Sequence, residues 1–326
     1  MRKIFHGLLT AAALLSSLIS AATAFAQGDP FPNKPIQVIV STAPGSFSEQ
    51  LVRFIGGGAQ KTLNQPLVVI TRASASGTLA ADTAKRAAPD GYTLILGGNT
   101  VMAANVHLIK NLSYDPIRDF EPVTLASINP LLLVVRSALP INSVPDLIAY
   151  SKSRPGQLNY GIGNAGGKVA VQLLNSLTGM TGQEISFNGT SQAILELVAG
   201  RLDFMIVDPL VADPFIKQGV LRPLAISSNV RLPSMANIPT MVEAGVPGYD
   251  YASFTGFWAP KGTPKAVIDT LNAAFVNVLA SPAAAEYASR AGMIAKSTTP
   301  QALLQFNKDQ IATWERLVKI SGLQPQ

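Results

Sequence analysis

The chain has 326 residues, with 25 Lys and Arg against 19 Asp and Glu, a formal charge of +6 and no cysteine. The missing cysteines exclude disulfides, thiolate metal sites and cysteine nucleophiles. The cations are scattered without a basic run, which argues against a nucleic-acid surface, while the modest positive balance favours small anionic ligands.

In chain order, Arg2 and Lys3 precede an apolar stretch from Gly7 to Ala22, and Ala24-Phe25-Ala26 puts small residues where a signal peptidase reads them. The apolar run is short for a membrane span. Residues 1–26 therefore read as a cleaved export signal, and no cysteine follows to carry a lipid. Cleavage leaves about 300 residues, enough for two domains, and lowers the formal charge from +6 to +4. A disulfide-free exported chain suits a periplasm.

Strand-like runs then alternate with helical patterns. "IQVIV" (36–40) precedes a helix over about 51–62, "LVVI" (67–70) precedes one over about 79–86, and "YTLILG" (92–97) follows. Further on come "LLLVV" (131–135), the helical "VPDLIAYSKS", "LNYGI", the helical "VAVQLLNSL", a short "ISF", "FMIVD" and "LAIS". This alternation predicts an α/β architecture of mostly parallel sheets flanked by helices. From about Thr263 the pattern turns helical, with Pro264 and Gly292 as helix punctuation.

Two stretches share a design: "STAPGSFSE" (41–49) and "NYGIGNAGGK" (159–168) each place small polar residues between a strand and a helix. They suit two lobes facing one cleft. Ser46 and Glu49 fit a capping box, which makes Glu49 structural first. Neither stretch is a Walker phosphate loop; Gly161, Gly163 and Gly166 match G-x-G-x-x-G, but no acidic residue closes the next strand. His107 is the single histidine after the signal and sits in a helical pattern, so triad chemistry lacks support. No metal-ligand spacing appears. Asp203 and Asp208 flank "FMIV", where either a turn contact or a pocket role is open.

What remains is a set of neutral hydrogen-bonding loops after strands, the edge where open α/β sheets hold ligands. In the first part of the chain these are Ser46, Phe47 and Ser48, then Ser74, Ser76, Gly77 and Thr78, then Asn99. In the middle they are Asn164, Gly166 and Lys168, then Asn188 and Thr190, with Asp208 beside them. Helix N-termini there favour an anion without a formal positive charge.

The segments "FPNKPIQVIVSTAPG" (31–45), "RAAPDGYTLILG" (86–97), "LSYDPIRDFEPVTL" (112–125), "RPGQLNYG" (154–161), "IPTMVEAGVPGYDY" (238–251) and "GFWAPKGTPKAVIDTLN" (256–272) cover nearly the whole mature chain. Together they resemble the Bug-type periplasmic receptors of tripartite tricarboxylate transporters. The resemblance implies a Venus-flytrap fold of two lobes, residues 27–127 with 253–326 and residues 128–252. It implies a receptor that captures a carboxylated metabolite and delivers it to permease subunits; with no catalytic constellation in view, the expectation is a non-enzymatic monomer without cofactor. A sensor that docks on a signalling partner is the alternative.

The pocket loops depart from the family pattern. Ser46-Phe47-Ser48-Glu49 stands where G-G-T-D is usual, Lys168 where a histidine is frequent, and Phe187-Asn188-Gly189-Thr190 where Y-K-G-G is frequent. Phe47 is open to two readings, an aromatic face at the cleft mouth or packing on its own helix. Lys168 is open to pairing with an anionic ligand or to plain solvation.

Overall fold

The computed structural model describes residues 31–325 apart from Ala43, Ala75, Asn188, Gly322 and Leu323. The segment read as an export signal lies outside the described residues. The first unit runs β1 (Ile36–Val40), α1 (Phe47–Leu63), β2 (Leu67–Thr71), α2 (Thr78–Lys85) and β3 (Thr93–Gly98). Helix α1 buries Leu51, Val52, Ile55, Ala59 and Leu63, the spacing of one helical face, and ends at Asn64 in the left-handed conformation. Each fully buried Leu or Ile on that face contributes about 1.5–3 kcal/mol.

A π-helical turn (Thr100–Ala104) and the single-turn α3 (Asn105–Leu108) lead to β4 (Phe120–Pro130). A second unit follows: β5 (Leu132–Arg136), α4 (Val144–Ser153), β6 (Asn159–Ile162), α5 (Ala165–Thr178), β7 (Gln183–Ser186), α6 (Thr190–Val198) and β8 (Phe204–Val207). Then come α7 (Pro209–Lys217) and β9 (Leu221–Ile226). The chain closes with β10 (Ala252–Pro260), α8 (Lys265–Leu279), α9 (Pro282–Arg290), β11 (Ile294–Ala295) and α10 (Pro300–Ser321). Among the described residues no single helix is long and apolar enough to cross a membrane.

One sheet has six strands in the order β11-β4-β10-β3-β1-β2, the other five in the order β7-β6-β8-β5-β9. Both are built alike. A βαβαβ unit puts its first strand in the middle, β1 between β2 and β3, β6 between β7 and β8, all parallel. The remaining pairings are antiparallel, so the sheets are mixed. The reason is topological: β4 leads out toward the second sheet and β10 leads back, so the two neighbours must run in opposite senses. They pair from Ala252 with Pro130 to Pro260 with Phe120.

The apolar core is continuous between the sheets. One cluster joins Ile39 and Ile95 of the first sheet to Leu133 and Tyr160 of the second, together with Leu303, Trp314 and Leu317 of α10. Helix α10 packs on β4, on the π-helical turn and on α5, so it touches both units. His107 Nε2 lies 2.9 Å from the Ile311 carbonyl oxygen, a packing contact to the same helix.

Asp203 and Asp208 sit at opposite ends of β8 with different roles. Asp203 accepts from Arg136 Nη2 at 2.9 Å and from the Asn159 amide at 2.9 Å, tying β5, β6 and β8 at the edge remote from the loops. Replacing it leaves a half-buried guanidinium whose Nε already lacks a partner among the described residues. Asp203→Ala should lower stability in urea unfolding by about 2 kcal/mol, the loss of hydrogen bonds to charged groups. A variant as stable as the parent would show that these bonds carry no structural weight.

Candidate functional site

The predicted residues gather at the C-terminal edges of the parallel strands, where the sheet order reverses around β1 and around β6. After β1, Gly45 takes φ +79° and hands the chain to Ser46 at φ −68°, so serine is accommodated there without strain. Ser46 Oγ caps α1 through the Glu49 amide at 3.5 Å and meets Thr42 Oγ1 at 2.7 Å. Glu49 reaches back to the Gly45 amide at 2.7 Å, one residue before the cap, and binds Arg53 Nε at 2.8 Å. The Gly45 donor first, and Arg53 second, hold its carboxyl below the usual range, so Glu49 belongs to its own helix.

Phe47 is half-buried and packs against the core of the first sheet, which favours the packing reading over an aromatic face at the cleft mouth. Ser48 stays half-buried in the first turn, with no hydrogen bond among the described residues.

After β2, Gly77 combines φ +72° with a wall only 2.6 Å from any added Cβ, the Val101 methyl, so no other residue fits. The Gly77 amide donates to the Ser74 carbonyl at 3.1 Å, the Leu79 amide reaches Ser74 Oγ at 3.4 Å, and Ser76 Oγ lies 3.3 Å from Thr78 Oγ1. With glycine at its start, α2 has no side-chain cap. The loop is held from below by Asn105, a residue the helical pattern "NVHL" conceals. Its Nδ2 donates to the Ser76 carbonyl at 2.9 Å and to Tyr114 Oη at 3.0 Å. Burial pushes the Tyr114 hydroxyl up to about 12.

Asn99 leaves the candidate set. Its Oδ1 accepts from the Phe254 amide at 2.6 Å and its Nδ2 donates to the Ala252 carbonyl at 3.4 Å, so both polar groups lock β3 onto β10.

After β6, Asn164 caps α5 by accepting from the Gly167 amide at 2.8 Å, and its Nδ2 donates to Thr190 Oγ1 at 3.1 Å. The two loops touch because Gly163 has no side chain: a Cβ there would sit 2.3 Å from Thr190 Cα. Gly189 begins α6 in an extended conformation without a side-chain cap. Asn188 lies outside the described residues. Lys168, which the sequence leaves open between a ligand partner and solvation, has a carboxylate of its own, Glu184 Oε1 at 2.9 Å, in a partly buried ion pair.

Asp208 follows β8 and keeps an open face to solvent, yet the surrounding protein strips enough water to raise its pKa. Tyr251, which the sequence did not single out, is buried and its hydroxyl stands over the first turn of α5, 3.2 Å from where a Gly166 Cβ would be. Desolvation first, and the Asp208 charge second, raise its pKa, so the phenol stays a protonated donor. Tyr251 and Phe254 are three residues apart, about 10 Å of extended chain. The start of β10 therefore brings the edge held by Asn99 close to the edge under Tyr251.

The site offers neutral donors, three helix starts without a side-chain cap, those of α2, α6 and α7, and one desolvated acid. Among the described residues no group of three or more His, Asp or Glu side chains is arranged to hold a metal.

Comparison with known proteins gives the same frame. The protein BugT of Bordetella pertussis is 31% identical over 319 residues, spanning 97% of this chain and 96% of that one. The solved structure of R. palustris Rpa4515 with adipate is 31% identical, with a TM-score of 0.76, covering 91% of this chain and 100% of that one. MatC of Rhodopseudomonas palustris with bound malate is 32% identical, with a TM-score of 0.70, covering 88% and 100%. The model of the tripartite tricarboxylate transporter family receptor matches residues 51–323, and on that match the chain belongs to this family of solute-binding receptors.

Proposed function

We propose that this chain is a periplasmic receptor that closes two lobes on a small dicarboxylate and delivers it to the permease subunits of a tripartite transporter. Residues 1–26 would direct export, and residues 27–127 with 253–326 and residues 128–252 would form the lobes. One observation carries the reading: α2 and α6, one at each sheet edge, both start on glycine without a side-chain cap. Each start presents backbone N–H groups and a partial positive charge, which a carboxylate satisfies. Two anion seats on opposite lobes fit a ligand with a carboxylate at each end. The adipate and malate bound by the two relatives are of that class. Ser76, Thr78 and Thr190 supply hydroxyls beside those seats, Ser48 supplies one from the first turn of α1, and Ser46, Ser74, Asn164 and Gly166 shape the loops.

Asp208 sets a further condition. It makes no ion pair among the described residues, and its charge opposes a third anionic group. It accepts hydrogen bonds from a ligand hydroxyl, as Tyr251 donates them.

A thermal-shift titration with malate, adipate and malamide tests the reading. Either diacid should raise Tm, by the equivalent of about 2.7 kcal/mol at a hundredfold excess over Kd, and the diamide should not. Gly189→Asp has open space for its side chain and caps α6 itself. It should leave the free protein at least as stable and abolish the diacid shift. Absence of any diacid shift in the parent, or an undiminished shift in the variant, contradicts the proposal.

The raised pKa of Asp208 also predicts a pH dependence. Its acid form suits the folded state, so the ionised form costs stability above the folded pKa, and that cost disappears as pH falls below the ordinary carboxylate value of 3.8. Asp208→Asn should therefore raise Tm at pH 7, with the gain shrinking toward zero at low pH. A gain independent of pH would show that the charge is not the cause.

A further inference from the structure

A cavity of about 420 Å³ lies behind the strands that join the two units, and none of the loop residues of the cleft lines it. That volume falls within the roughly 300–1,000 Å³ of small-molecule sites. Its apolar wall is aromatic and aliphatic: Phe306, Trp314 and Leu317 from α10, and Ile128 from β4. Tyr251 separates it from the cleft, its ring edge-on to Trp314 with centroids 6.4 Å apart and its hydroxyl over the start of α5.

Trp314 is 5% exposed, and its Nε1 is buried without an acceptor among the described residues. Such a donor is normally satisfied. The exposed part of the wall carries Lys296 and Arg316, and neither makes an ion pair among the described residues. Of the other two charges lining the cavity, Arg231 is ion-paired, while Asp250 is hydrogen-bonded to the neutral Asn229 and keeps its negative charge. Arg231 Nε binds Glu243 Oε2 at 2.8 Å, and the Asp250 carboxylate accepts from the Asn229 amide at 3.2 Å and from its Nδ2 at 3.1 Å. The balance is an aromatic floor ringed by two cations without a carboxylate of their own and by one carboxylate, a net positive lining.

We propose that this cavity is a second ligand site, distinct from the cleft, for a flat organic monoanion: an aromatic ring on Trp314 and Phe306, its carboxylate toward Lys296 and Arg316. The stacking surface favours a planar body and the cations favour a carboxylate over its amide.

Isothermal titration of the full mature protein with 2-naphthoate tests this. The parent should bind one equivalent. Lys296→Ala with Arg316→Ala, both exposed and safe for folding, should weaken binding by at least about tenfold. Trp314→Phe, which replaces the indole with a smaller ring, should weaken it measurably through lost stacking area. Equal affinity in the double variant would place naphthoate elsewhere, the cleft included, and overturn the proposal; so would no binding to the parent at millimolar concentration.

Discussion

The first backbone N–H groups of a helix have no acceptor within the helix, and at the starts of α2 and α6 the chain supplies almost none. Ser46, Ser143, Asn164 and Ser281 cap other helices with their side chains. Gly77 and Gly189 do not, and the one side-chain acceptor near α2 among the described residues is Ser74 Oγ at 3.4 Å. A helix that starts on glycine forgoes only about a few tenths of a kcal/mol against one capped by Ser, Asn or Asp. On the proposed reading, these two glycine starts, one on each sheet edge, are the seats for an anion.

Everything around these seats fixes their position. Gly77 admits Val101 and Ser41 against the loop, and Gly163 admits Thr190, so the turns are set by close backbone approach and not by long side chains. Asn105 anchors the Ser76 carbonyl from a buried site, and Tyr114 in turn ties Asn105 to the Val101 carbonyl through its hydroxyl at 2.7 Å. Asn99 joins β3 to the first residues of β10, beside Tyr251. Asn307 Nδ2 binds the Met102 carbonyl in the π-helical turn at 2.8 Å, which holds α10 against the same edge. Both edges meet β10, and the long antiparallel pair β4 and β10 connects them.

Much of this was legible in the sequence because it is local. Strand–turn–helix periodicity located β1 to β3 and β6 to β8, and S-x-x-E announced the Ser46 cap. The second arm of that box closes on Gly45, one residue short of the pattern. Strands β4 and β10 escaped because prolines and polar residues break "FEPVTLASINP" and "ASFTGFWAP", whose pairing partners lie more than a hundred residues apart. The side chains whose partners the sequence left open share that cause. Lys168 meets Glu184 across 16 residues, Asn99 meets Phe254 across 155, and Phe47 finds a core assembled by distant elements. Tyr251 reads as one aromatic among several until the fold sets its hydroxyl over α5.

The central claim is that one ligand satisfies both glycine helix starts at once. Backbone amide NMR of the mature protein titrated with malate addresses it directly. The account predicts that the Thr78 and Ala80 amides of α2 and the Thr190 and Ser191 amides of α6 shift together, with one dissociation constant. Shifts confined to one helix, or fitting two different constants, would contradict it.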